Sequence, residues 1–191
     1  VDIAYCGGTY GGYGGTYGGT PSDVYGDYRN PTEPGAGGGG TDWVRRGGGH
    51  VRFTTETLVL DGQIRADGIQ ALAHNTSGSA GGGIRIDTGT IRGTGLVSAD
   101  GGDSNNDRAA GGGGRIALYY EDAAGFDVDR VQALGGAFPI GLGGPGAVGT
   151  VYLKDVNGEG VLRIDSKGQE AGQWTPLGLP GDAAFDVDRL V

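Results

Sequence analysis

The sequence predicts an all-β chain that winds into stacked coils, and three observations lead to this prediction. Glycine supplies 46 of the 191 residues, far above its usual share of about 7%. Short apolar runs with period-two alternation recur along the chain, which is typical of short strands. Each run follows a group of glycines, at nearly constant intervals. Long helices are disfavoured because glycine interrupts every apolar window of helical period.

A glycine run followed by a strand opens each of four repeats. The last glycines of these runs are Gly49, Gly83, Gly114 and Gly149, so the intervals are 34, 31 and 35 residues. One such unit cannot bury its apolar face alone, so the units must stack on one another. Stacking predicts two ladders of inward side chains. The first comprises Val51, Ile84, Ile116 and Val151, and the second comprises Ile64, Leu96, Val131 and Leu162.

These features predict one unit over residues 1–191, a right-handed single-stranded parallel β-helix with long glycine-rich loops. Residues 49–191 are expected to form four to six coils, with the Gly/Tyr-rich region 1–48 packed on the first coils. Glycines are expected at the corners because glycine accepts positive φ without steric cost. Neither end of the chain resembles a polar cap, so the coil stack is expected to continue along its axis.

Composition excludes several partners. The net charge of −9 disfavours nucleic acid and anionic membranes. No apolar run approaches the ~20 residues that cross a bilayer, so no membrane insertion is expected in this segment. Cys6 is the single cysteine, and it is either free and buried or bonded to another chain. The absence of methionine indicates a mature protein or a piece of a longer one.

The order of several motifs resembles the glycine-rich β-helix repeats of very large secreted or surface proteins of bacteria. The matching motifs lie in residues 25–40, 58–68, 111–120 and 149–154. The resemblance implies a pectin-lyase-like fold, an extracellular or cell-surface location and an adhesin-like or scaffold role, with no catalytic residue to carry over. Cys6 and the tyrosines near the amino terminus depart from the pattern of these repeats.

Tyrosines crowd the amino-terminal region and are candidate contacts for a ligand or a partner. They are Tyr10, Tyr13, Tyr17, Tyr25 and Tyr28. Aromatic rings with polar neighbours can stack on sugars or on another protein. The alternative is that these rings pack on one another and only order the loop.

Acidic side chains at two places are candidate ligands for calcium, which prefers oxygen atoms. They are Asp100, Asp103 and Asp107 in one loop, and Asp127 and Asp129 two residues apart on a predicted strand. The alternative is that they are ordinary turn residues and an exposed strand face. Since no EF-hand spacing occurs, no cofactor is expected, and calcium stays open as an alternative.

Taken together, these expectations favour an extracellular structural or adhesive scaffold, and not an enzyme. The expected partners are copies of the chain stacked head to tail, or further repeats of the same chain. One alternative is a carbohydrate-binding adhesion module that uses the tyrosine-rich loop to contact a polysaccharide. A polysaccharide lyase or hydrolase is the less favoured alternative, because such enzymes need clustered carboxylates.

Overall fold

The computed structural model describes residues 5–40, 45–72, 74–104, 108–138, 141–179, 181–182 and 184–191. Within these ranges the chain is nearly all-β and forms a parallel β-solenoid of about three turns. The predicted fold class is therefore confirmed, while the expected four to six coils are too many. Cys6 is buried and free.

Short strands and one 3-10 turn follow one another along the chain. They are β1 (His50–Val59), β2 (Gln63–Arg65), β3 (Gly83–Gly93), β4 (Leu96–Ser98), β5 (Arg115–Tyr120), β6 (Asp122–Phe126), the 3-10 turn (Val128–Arg130), β7 (Val131–Gln132), β8 (Thr150–Asp155), β9 (Gly160–Arg163) and β10 (Arg189–Leu190). The larger sheet stacks β1, β3, β5 and β8 in parallel, and the smaller sheet stacks β2, β4 and β7.

The first predicted ladder of inward side chains is confirmed. Val51 pairs with Ile84, Ile84 with Ile116, and Ile116 with Val151. Ile84 and Ile116 have no exposed surface, because each lies between copies of the same position in the coils above and below. Burial of these aliphatic side chains is the main force that holds the coils together.

The second ladder is wrong in two of its four members. The smaller sheet aligns Ile64 with Val97 and Val97 with Val131, so the predicted Leu96 is displaced by one residue. Leu162 lies instead in β9, which runs antiparallel to β8. The chain turns back there because the Asp155 carboxylate accepts a hydrogen bond from the Asn157 N–H, at 2.9 Å, and nucleates a tight hairpin.

The expected positive φ is confirmed at Gly93, in the bend between β3 and β4, and it is wrong at three other corner glycines, which serve the fold by lacking a side chain. Gly68, Gly101 and Gly135 are not among the glycines with positive φ. The glycine-rich segments between strands lie side by side and are joined by hydrogen bonds, such as Gly113 N–H to the Ala147 carbonyl at 2.9 Å. A Cβ at most of these glycines would lie within 3.0 Å of a neighbouring backbone carbonyl. Collagen uses glycine for the same reason, to bring backbones together.

The amino-terminal segment joins this glycine layer. The Gly8 and Gly11 N–H groups donate to the carbonyls of Gly78 and Gly113, at 2.9 and 3.1 Å. The Tyr13 carbonyl accepts from the Ala147 N–H at 2.8 Å. Residues 5–17 therefore lie against the glycine segments that precede β3, β5 and β8.

Candidate functional site

The first coil leaves one end of the solenoid open. Within the described ranges, β1 pairs only with β3, so a ten-residue strand has a free edge. The inner side chains of this coil are only partly buried, although they pack on the core: Val51, Phe53, Leu58 and Ile64. By contrast, Ile84, which is stacked on Val51, has no exposed surface. The β1 end thus exposes both unpaired backbone groups and part of the apolar core.

One hydrogen bond shows which residues of β1 direct their backbone N–H and C=O groups to the free edge. The Gly49 carbonyl accepts from the Gly83 N–H at 3.2 Å, so Gly49 directs its polar groups towards β3. Because successive residues of a strand direct these groups to opposite edges, His50, Arg52 and Thr54 direct theirs to the free edge. A neighbouring strand would bond to these three residues.

The opposite end of the solenoid is covered. β9 pairs with the outer edge of β8, and two cations close the edge of β7. The Arg163 guanidinium donates to the carbonyls of Val128, at 2.9 Å, and Val131, and Lys167 Nζ donates to the Asp129 carbonyl at 2.6 Å. The expectation of an uncapped stack is therefore wrong at this end, because side chains from beyond the last parallel coil satisfy its carbonyls.

Two of the candidate tyrosines, Tyr10 and Tyr25, lie together in the structure. Tyr10 is fully buried, and its ring centre lies 4.8 Å from that of Tyr25. The Tyr10 hydroxyl donates to Glu33 Oε2 at 3.1 Å. Burial, reinforced by the Glu33 charge, raises the pKa of Tyr10, and it raises the pKa of Tyr25 to about 12. Both phenols are therefore neutral hydrogen-bonding groups at physiological pH.

The other three tyrosines lie in separate places. Tyr28 is buried, its ring centre lies 5.4 Å from those of both Tyr152 and Phe185, and burial raises its pKa to about 12. Tyr17 flanks Tyr5 at 6.1 Å. The structure thus brings together only Tyr10 and Tyr25, and a role of the tyrosines in binding stays a prediction.

Tyr13 has an aromatic partner that the sequence did not suggest. Trp174 is 67% exposed and lies 5.5 Å from the Tyr13 ring, edge to face. The Tyr13 hydroxyl also approaches Asp23 Oδ1 at 3.5 Å. These two rings are separated by 161 positions along the chain, so no local pattern could reveal the pair.

The acidic pair Asp127 and Asp129 does not share a strand face, because the chain forms a 3-10 turn there. Asp127 caps this turn by accepting from the Asp129 N–H at 3.0 Å. The Asp129 carboxylate forms an ion pair with Arg163 at 2.7 Å. The predicted side-by-side geometry on a strand is therefore wrong.

The carboxylates of the other candidate group bond to the backbone of the next coil. Asp100 Oδ1 accepts from the Leu134 N–H, and Asp103 Oδ1 accepts from the Ala137 N–H, both at 2.7 Å. Burial raises the pKa of Asp100 to about 6. Asp107 lies outside the described residues. In the described part of the chain, no cluster of three or more His, Cys, Asp or Glu is placed to hold a metal ion.

Comparison of the chain with protein-family models, with curated proteins and with solved structures finds no match. The chain is a parallel β-solenoid. Across the described ranges, no helix has the length and apolar character needed to cross a membrane. Among the described residues, the open β1 end exposes a strand edge, and the Trp174–Tyr13 pair exposes an aromatic surface.

Proposed function

We propose that this chain is a structural segment of an extracellular, adhesin-like scaffold, and that further coils extend it at the β1 end. The observation that supports the proposal is the ten-residue edge of β1 above a half-buried apolar row. Exposed edges of this length recruit other strands unless they are blocked by bulges, charges or proline. A scaffold segment needs such an end, since each coil gains its stability from its neighbours.

The contrast between the two ends supports the same proposal. The far end is covered by β9 and by the side chains of Arg163 and Lys167. The β1 end has no such cover in the described ranges. The partner coils are therefore proposed to lie on β1 and β2, whether they come from the same polypeptide or from another copy.

The experiment is the binding of a fluorescent peptide with the sequence of residues 49–65, which reproduces the first coil. We expect it to bind the full chain, and Thr54→Pro to abolish binding, because proline removes the N–H that Thr54 directs to the free edge. The monomer should tolerate this proline, since edge strands accept proline where the N–H faces solvent. The matched control is Thr54→Val, which keeps the N–H and should bind as the wild type does. Absence of binding to the wild-type chain would refute the proposal.

A carbohydrate-binding adhesion module is the second candidate, and the Trp174–Tyr13 pair favours it. An exposed indole beside a tyrosine and the Asp23 carboxylate offers a stacking face and a hydrogen-bond acceptor. We expect glycan binding on an array to be lost in Trp174→Ala and kept in Leu142→Ala, a control at another exposed side chain. An array with no signal for the wild type would eliminate this candidate.

A further inference from the structure

Four stacked segments of the chain have glycine at one equivalent position, immediately before the parallel strands β1, β3, β5 and β8. The strand register aligns His50 with Gly83, Gly83 with Arg115, and Arg115 with Thr150. The residues just before these partners are therefore equivalent: Gly49, Gly82, Gly114 and Gly149. The sequence-based alignment placed Gly83 in this series, and the structure corrects it to Gly82.

Three of these glycines have a clear steric cause. A Cβ at Gly82 would lie well within 3.0 Å of the Gly49 carbonyl, one at Gly114 within that distance of the Gly82 carbonyl, and one at Gly149 within it of the Gly114 carbonyl. Real Cβ atoms essentially never approach that closely. Each glycine thus makes room for the carbonyl of the preceding coil.

The fourth glycine has no such cause inside this structure. A Cβ at Gly49 would meet no atom of the described residues within 4 Å, and Gly49 is not among the glycines with positive φ. In the chain alone, alanine would fit at this position, and glycine brings only a loss of backbone entropy on folding. The preceding coil, whose carbonyl would explain Gly49, belongs on the open side of β1.

A second glycine of the first coil, Gly62 between β1 and β2, also lacks a steric cause inside the chain. Gln63 pairs with Leu96, so Gly62 is equivalent to Gly95. A Cβ at Gly95 would lie 2.5 Å from the Gly62 carbonyl, whereas one at Gly62 would meet nothing within 4 Å in the part of the chain that the structure describes. Gly62 also lacks positive φ. Two separate positions therefore point to the same unfilled side of the first coil.

We infer that the β1 end binds a coil of the same glycine-punctuated repeat, parallel to β1 and in the register that β1 and β3 share. This inference rests on the proposed extension at β1 and specifies its occupant. Such a coil places backbone carbonyls over Gly49 and Gly62, as the first coil does over Gly82 and Gly95. An antiparallel strand of a second copy would not reproduce this pairing at both positions.

The test uses the full chain and the fluorescent peptide of residues 49–65. Gly49→Ala and Gly62→Ala should each weaken peptide binding at least tenfold, because the new methyl group occupies the place of the peptide carbonyl. Neither change should lower the urea midpoint of the chain. The control is Gly144→Ala, where the nearest atom to a Cβ lies at 3.9 Å, and which should bind the peptide as the wild type does.

The outcomes separate the two proposals. A wild-type chain that does not bind the peptide overturns the extension at β1 itself. Equal binding by the wild type and both alanine variants leaves the extension in place and overturns the parallel register. A lowered urea midpoint for Gly49→Ala and Gly62→Ala also overturns the inference, because the two glycines would then have a role inside the chain.

Discussion

Replacement of Gly114 by alanine tests how tightly the coils are packed. A Cβ there would lie 2.7 Å from the Gly81 carbonyl carbon, 2.9 Å from the Gly82 nitrogen and closer still to the Gly82 carbonyl oxygen. The two coils cannot separate freely, because the Gly114 N–H donates to the Ala99 carbonyl at 2.7 Å and the Arg115 N–H donates to the Gly82 carbonyl at 3.0 Å. The methyl group must therefore strain the coil or lengthen these hydrogen bonds.

The size of the effect follows from these two costs. Overpacking in a close-packed interior costs about 1–3 kcal/mol, and each weakened backbone hydrogen bond adds about 1 kcal/mol. We expect Gly114→Ala to lower the free energy of unfolding by about 3 kcal/mol or more, a large part of the ~5–15 kcal/mol that stabilises a typical domain.

Urea unfolding followed by circular dichroism measures this difference. The matched control is Gly49→Ala at the equivalent position of the first coil, where a Cβ meets none of the described atoms within 4 Å. There we expect no loss, or a gain of up to about 1 kcal/mol from reduced entropy of the unfolded chain. Equal destabilisation by the two substitutions would refute the argument that carbonyls of the preceding coil require these glycines.

Three further predictions concern Asp100 at a corner between coils, Arg163 at the covered end and Tyr10 in the amino-terminal layer. The folded-state pKa of Asp100, about 6, lies above its ordinary value of 3.8, so the folded chain binds this proton more tightly than the unfolded chain. The free energy of unfolding should therefore fall as pH rises from about 4 to about 6, by at most ~3 kcal/mol. Asp100→Asn should remove this part of the pH dependence. A variant with the same pH profile of unfolding as the wild type would contradict the assignment to Asp100. Arg163→Ala should cost about 1–3 kcal/mol in urea unfolding, because it leaves the carbonyls of Val128 and Val131 without their charged donor. The control is Arg92→Ala, at an exposed arginine of β3, which should cost less than about 1 kcal/mol. Tyr10→Phe should cost about 1 kcal/mol through loss of the hydrogen bond to Glu33, and a variant as stable as the wild type would show that this bond contributes nothing.

The sequence predicts the coil stack well because its signals are local and repeated. Val51, Ile116 and Val151 lie two residues after the last glycine of a run and Ile84 lies one residue after it, and the structure stacks all four as expected. The same reasoning fails for Leu162, because the repeat alone does not reveal the hairpin that Asp155 nucleates. The Asn157-Gly158 dipeptide in that turn is a sequence signal for a hairpin, and at this point it outweighs the repeat.

The candidate site was harder to predict, because its parts are joined only by the fold. The tyrosine cluster and the acidic pairs are conspicuous in sequence, but Tyr10 becomes buried and Asp127 caps a turn. Trp174 meets Tyr13 only through tertiary packing. The order of the repeats places β1 at one end of the stack, but it does not show whether the amino-terminal segment covers that end.

Hydrogen exchange by NMR at the backbone of β1 tests the central claim most directly. In the free chain, the N–H groups of Arg52 and Thr54 should exchange rapidly, and those of Val51 and Phe53, which face β3, should be protected. Addition of the peptide of residues 49–65 should protect Arg52 and Thr54 as well. Protection of these two groups before addition, or rapid exchange after it, would contradict a solenoid that is extended at this edge.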